Sequence, residues 1–285
     1  MRRTAGSATT PAVAPTASSP LSPDFGLAPA VAGFVVGGRT IAAALAEAIA
    51  DGRLIENEPG QFCLPSDAGR ERALASDTPT ISTPGSFDAP CHLLHHFLFA
   101  EVYRAAQVPQ GCSACFKIWI RPATIRALFA LKEVLDATPY SSKIKVEALD
   151  PGSPNVYLAL VYGGDLSATR TAYASLRGVV DADPRLGPDV PMEIRRGCHA
   201  YERACGPSDQ YRFPPGLAEV EAALAERFVD ARPAPRPKPQ RDAAARLRML
   251  QIAFQLGDES YADFTGGEAI ASPVVRYSPT TDEET

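Results

Sequence analysis

The chain has 285 residues, 45% of them hydrophobic and 21% charged, with a formal net charge of −5 and a pI near 5.5. This is too apolar for wholesale disorder, no run of about 18 apolar residues could span a membrane, and the mild acidity gives no broad electrostatic reason to bind nucleic acid. The length suits one large domain or two small ones with a sizeable core.

Residues 1–23 are rich in Pro, Ser, Thr and Ala and nearly free of large apolar side chains, so they read as a disordered tail. Arg2 and Arg3 are not followed by the apolar core of a secretory signal. The expected location is therefore cytoplasmic, where six cysteines point to metal ligands or redox thiols rather than disulfides.

Residues 24–110 predict a helical and hairpin region. An apolar stretch from Val31 to Val36 leads to Gly37-Gly38, a helical run from Ile41 to Ala50 and a hairpin over Arg53 to Leu64 about Pro59-Gly60. A helix followed by a hairpin also closes winged-helix modules, but the earlier helices of such a module are missing. Two glycines without a lysine or a full Gly-x-Gly-x-x-Gly read as a turn rather than a phosphate cradle. Residues 68–89 are polar and turn-rich and read as a loop. A helix is then predicted over 90–106, with Leu94, Leu98 and Val102 on one stripe.

Residues 111–230 carry the clearest pattern. Ile118 and Ile120 alternate with Lys117 and Trp119 as a strand, and Pro122 opens a helix with Ile125, Leu128, Leu131 and Leu135 in register. Ile144 and Val146 mark a second strand, and Val156, Leu158 and Leu160 a third after the turn at 151–154. Asp165 is placed to cap a helix bearing Tyr173, Leu176 and Val180, and Val190, Met192 and Ile194 mark a fourth strand. The order β-α-β-β-α-β predicts an α+β, ferredoxin-like split fold: an antiparallel sheet with both helices on one face, and additional N- and C-terminal helices around it. A further helix is expected over 217–228. Residues 231–241 hold four prolines and four basic residues without an acid and read as an extended linker. Residues 242–285 complete the chain with an amphipathic helix stopped by Gly257 and an acidic end at Asp282, Glu283 and Glu284.

Four cysteines bracket the predicted sheet. Cys112 and Cys115 form a C-x2-C just before its first strand, and Cys198 and Cys205 a C-x6-C just after its fourth. If those two strands pair antiparallel, Cys115 and Cys198 meet at one rim, and four thiolates are what a structural zinc ion or an iron–sulfur cluster takes. Zinc and iron–sulfur stay undecided between them. Gly111, Gly197 and Gly206 beside the cysteines let the backbone bend round such a centre, and Arg195 and Arg196 are expected to offset its charge. His92 and His96 at i,i+4 could chelate, Cys91 or His95 could replace a ligand, and Cys63 reads as a small buried residue; the roles of Cys91, His92, His95 and His96 stay open.

The chain thus reads as a metal- or iron–sulfur-binding accessory or regulatory protein, acting with a protein partner or as a homodimer, its ligands Cys112, Cys115, Cys198 and Cys205. Two alternatives come from other classes. One is a thiol–disulfide oxidoreductase using the C-x2-C. The other is a single-stranded RNA-binding module that uses Lys117, Trp119, Lys145, Tyr157 and Arg195 on the open sheet face.

Overall fold

The computed structural model describes residues 24–65, 78–83, 90–147, 156–231 and 237–270. The tail at 1–23, the turn at 151–154 and the acidic end therefore lie outside the described residues, as does most of the 68–89 loop. Among the described residues the architecture is mixed α+β, with three antiparallel sheets and several helices. Among the described residues, no helix is long and apolar enough to cross a membrane.

The N-terminal elements are a helical turn α1 (Pro29–Ala32), a two-residue hairpin β1–β2 (Val35–Val36, Arg39–Thr40), helix α2 (Ile41–Ala50) and a second hairpin β3–β4 (Ile55–Glu58, Gln61–Cys63). Thr40 caps α2 by accepting a hydrogen bond from Ala43 N. Strand β5 (Thr80–Ser82) follows, in the stretch expected to be a loop. Only Ile81 offers an apolar side chain there, which is too little for a periodic signal, and the strand exists because it pairs antiparallel with β7 (Ser142–Val146) of the large sheet.

Helix α3 (His92–Val102) comes next and is wound with π-type turns: Tyr103 N donates to Leu98 O, five residues back. It stops four residues short of the expected end because Arg104 and Ala105 adopt left-handed conformations, with φ of 48° and 62°. The large sheet is completed by β6 (Phe116–Ile120), β8 (Tyr157–Gly164) and β9 (Met192–Arg196), and its order is β5-β7-β8-β6-β9 with every neighbour antiparallel. Helix α4 (Ile125–Asp136) links β6 to β7, and α5 (Leu166–Ala182) links β8 to β9; Thr124 and Asp165 cap them through Ala127 N and Ala168 N. A short helix α6 (His199–Cys205), then α7 (Leu217–Ala225) and α8 (Lys238–Gln255) follow. α8 begins inside the expected linker: Pro239 falls in the first turn, where its missing N–H costs nothing, so the basic proline stretch enters the helix rather than ending before it.

Two large apolar clusters form. In the sheet core, Ile118, Ile120, Ile144, Val146, Ala159 and Val161 meet α4, α5 and α8 through Leu128, Leu176, Met249 and Ile252, among others. Each such fully buried aliphatic side chain contributes roughly 1.5–3 kcal/mol. The N-terminal core joins Ile41, Leu45, Phe62, Phe97 and Leu98 to Leu217, Val220 and Leu224 of α7. Residues 111–230 therefore do not pack as one body: α7 belongs to the N-terminal core, where Phe62 also bonds Arg227 O and Val229 N through its own backbone.

Candidate thiol site

The pairing of β6 with β9 sets the site. Phe116 lies opposite Arg196, and Gly197 N donates to Cys115 O at 2.7 Å, so the residues before β6 and those after β9 occupy one rim of the sheet. Cys112 ends a short 3₁₀ turn (Gln110–Cys112) and is buried, Cys115 precedes β6, and Cys198 stands just before the first residue of α6. The turn is held from outside. Glu221 of α7 accepts from Gln110 N and Gly111 N at 2.6 and 3.0 Å, and Arg196 donates to Ser113 O at 2.7 Å and to Ser208 O at 3.1 Å.

Three of the four expected ligands, and one further cysteine, influence one another electrostatically across this rim. Cys112, Cys115 and Cys198 lie within electrostatic reach of one another, and Cys91, in the turn that opens α3, acts on Cys112, Cys115, Lys117 and Tyr201. Cys205, at the far end of α6, donates instead to Ala105 O at 3.3 Å. A seven-residue helix separates it from Cys198, and their shared place in sequence does not become a shared place at the rim. None of the six cysteines is in a disulfide.

Donors converge on these sulfurs. The Tyr201 hydroxyl, on a fully buried side chain, stands 3.3 Å from Cys112 Sγ, and Lys117 Nζ donates to Gly197 O at 3.4 Å and toward Cys198 Sγ at 3.6 Å. Lys117 is only 5% exposed and, among the described residues, no carboxylate forms a salt bridge with it. Burial pulls the ammonium down, yet negative charge on Cys198 and Cys115 outweighs it and holds its pKa above the ordinary lysine value. The thiols shift upward for the complementary reason. Burial pushes Cys112 up to about 12, and it raises Cys115 although Lys117 opposes the rise.

The expected cationic neighbours are engaged elsewhere. Arg196 is spent on backbone carbonyls, and Arg195 lies over the Trp119 ring, 4.4 Å from its centroid, while bonding Glu193. Lys117, which sequence reasoning assigned to the open sheet face, supplies the positive charge in their place. The histidines divide. His92 pairs with Asp230 at 3.2 Å, whereas His95 stacks on Tyr201 with ring centroids 5.4 Å apart. His92 and His96 rings sit 5.6 Å apart, side by side as their spacing implies. Cys63 is buried in β4, remote in chain position from the rim.

The open-face arrangement is altered as well. Trp119 is 6% exposed, beneath Arg195 and Arg121, and Tyr157 is 5% exposed on the helix side, where its hydroxyl donates to Asp258 at 2.6 Å. Tyr157 continues the row of Ala159 and Val161, so its parity places it in the sheet core; the strand begins one residue later than the alternation from Val156 implied. Lys145 pairs with Glu147.

Among the described residues, no three His, Cys, Asp or Glu side chains stand as a group that could hold a metal ion. Comparison of the chain with protein-family models, curated proteins and solved structures finds no match.

Proposed function

We propose that this chain is a metal- or iron–sulfur-binding accessory protein whose ligands are Cys112, Cys115 and Cys198, with Cys91 taking the place expected of Cys205. The observation that carries the reading is the buried Lys117, which donates toward Cys198 Sγ and is acted on by Cys115 and Cys91, with no carboxylate salt bridge to it among the described residues. A metal tetrathiolate would add negative charge beside this buried cation. Metal uptake converges side chains that now stand apart, and it displaces protons from thiols that burial keeps protonated. The sheet around the site we read as the ferredoxin-like split unit extended by one edge strand. In support, β7-β8-β6-β9 follow the order of that unit, and α4 and α5 share one core with the same sheet face. Six thiols outside any disulfide suit a reducing, cytoplasmic setting, and exposed Leu247, Phe254 and Leu256 along and just after α8 support a protein partner or a second copy.

The other readings have less support. A thiol oxidoreductase needs a depressed cysteine pKa, whereas burial raises both members of the C-x2-C. An RNA-stacking face needs exposed rings, and Trp119 and Tyr157 are covered.

The test is metal analysis with absorption spectroscopy on protein purified without oxygen. One zinc ion per chain, or iron with a visible cluster band, is expected. Cys91→Ser, Cys115→Ser and Cys198→Ser lose it, while Cys205→Ser keeps it. Wild-type protein that neither carries nor takes up zinc or iron refutes the reading.

A further inference from the structure

We infer that two copies of this chain form a two-fold dimer in which the exposed face of α8 in each copy packs antiparallel on the exposed face of α7 in the other. This rests on the part of the reading above that gives the chain a partner, commits it to a second copy, and needs no metal. Met249, Leu250, Ile252 and Ala253 fix the buried side of α8. By helical periodicity the opposite side carries two rows of seven-residue spacing: an apolar one of Leu247 (55% exposed) and Phe254 (38% exposed), and a basic one of Arg241 and Arg248. Helix α7 turns Leu217, Val220 and Leu224 to the N-terminal core and shows the counterpart on its outer side, where Glu219 and Glu226 are again seven residues apart and flank Ala222. Among the described residues none of these four charges has an ion-pair partner; Arg248 donates to Gln251 at 3.5 Å. Two of them also stand at the wrong end of their own helix. Arg241 lies near the N-terminus of α8, where the nearest acid, Asp242, is tied to Lys238, and Glu226 is the C-cap of α7; the helix dipole disfavours both charges there. An antiparallel pairing sets Arg241 against Glu226 and Arg248 against Glu219, since the seven-residue rise of about 10.5 Å is common to both rows. It also brings each misplaced charge to the helix end that favours it. In this alignment Leu247 lies over the small side chains of α7, and Phe254 comes level with Pro214 and Pro215 ahead of it. A stable association takes about 800 Å² from each partner, more than one helix stripe supplies, and two-fold symmetry provides the contact twice.

Sedimentation equilibrium of the full chain supplies the test. Wild-type protein is expected to be a dimer that dissociates in the micromolar range, and more readily as salt rises. Arg241→Glu with Arg248→Glu weakens association about 10-fold or more, and so does Glu219→Arg with Glu226→Arg, because each change sets like charges against one another in both contacts. Mixing the two double variants restores the dimer, since every contact between them again joins acid to base. All four positions are exposed, so the variants keep the fold, which circular dichroism checks. A wild-type monomer overturns the inference, as does open growth beyond a dimer. Double variants that remain dimeric, or monomeric variants that mixing fails to pair, show that another surface joins the copies and also overturn it. A dimer that carries no metal upholds the inference while the metal reading fails; a monomer that loads metal does the reverse.

Discussion

Asp258 illustrates how a single carboxylate fastens elements that no apolar pattern links. It accepts from the Tyr157 hydroxyl and from Ile125 N, both at 2.6 Å, and from Ser260 N and Oγ, so it ties the C-terminal 3₁₀ turn (Glu259–Phe264) to β8 and to the start of α4. Burial opposes its ionisation, but the hydrogen bonds from Tyr157, Ser260 and Ile125 prevail and hold its pKa below the ordinary value. A depressed carboxylate pKa contributes stability that is present above the unfolded value, about 3.9, and is lost as pH falls through the lower folded value. Asp258→Asn should therefore cost about 1–3 kcal/mol at neutral pH, with the gap to wild type closing in acid; urea unfolding across pH checks both, and a gap that widens in acid would be contrary. At this scale the sequence was partly legible. The C-x2-C and Cys198 announced themselves by spacing and flanking glycines. Cys91 could be read only as a candidate replacement ligand alongside His95, because its partners lie in other elements, and Lys117 read as a sheet-face cation because strand alternation records parity and says nothing about where a long side chain ends.

The helices α2, α4, α5 and α7 could be read from apolar periodicity and caps because their buried faces are continuous. What escaped was structure imposed by neighbours: β5, which exists only as a partner of β7, and the π winding of α3, which apolar spacing does not encode. Another neighbour effect fixes Gly163. A Cβ there would fall onto the Thr169 hydroxyl and within 2.6 Å of the Thr169 Cα, so glycine lets β8 meet the first turn of α5, where Thr169 donates to Asp165 O at 2.6 Å. Backbone cannot yield as a flexible side chain can. Gly163→Ala is expected to cost roughly 1–3 kcal/mol in urea unfolding, and an unchanged midpoint would show that the strand and helix can separate freely. Gly164, next in sequence, has open space about its Cβ position but a φ of 75°, so its alanine variant carries backbone strain without a clash.

For the molecule as a whole, the mixed α+β character followed from the alternation of strand and helix patterns, but the allocation of elements to cores did not. Apolar residues at 217, 220 and 224 state that α7 has a buried face without stating whose. Phe62 shows what that allocation does: fully buried, it packs on Phe25 and Phe97, and its backbone bonds residues 227–229. Phe62→Ala should cost about 3–5 kcal/mol and expose the N-terminal core to proteolysis ahead of the sheet; cleavage that begins in the sheet would contradict this division. The two cores take their elements alternately along the chain, with β3–β4 and α3 in one, β5 and β6 to β9 in the other, then α7 back in the first and α8 in the second. During synthesis the amino-terminal half must therefore wait, incomplete, until residues near 229 leave the ribosome, by which time all strands of the large sheet are already made. No single cut yields two self-sufficient fragments, and expression of residues 24–110 alone would produce a chain missing the helix that closes its own interior.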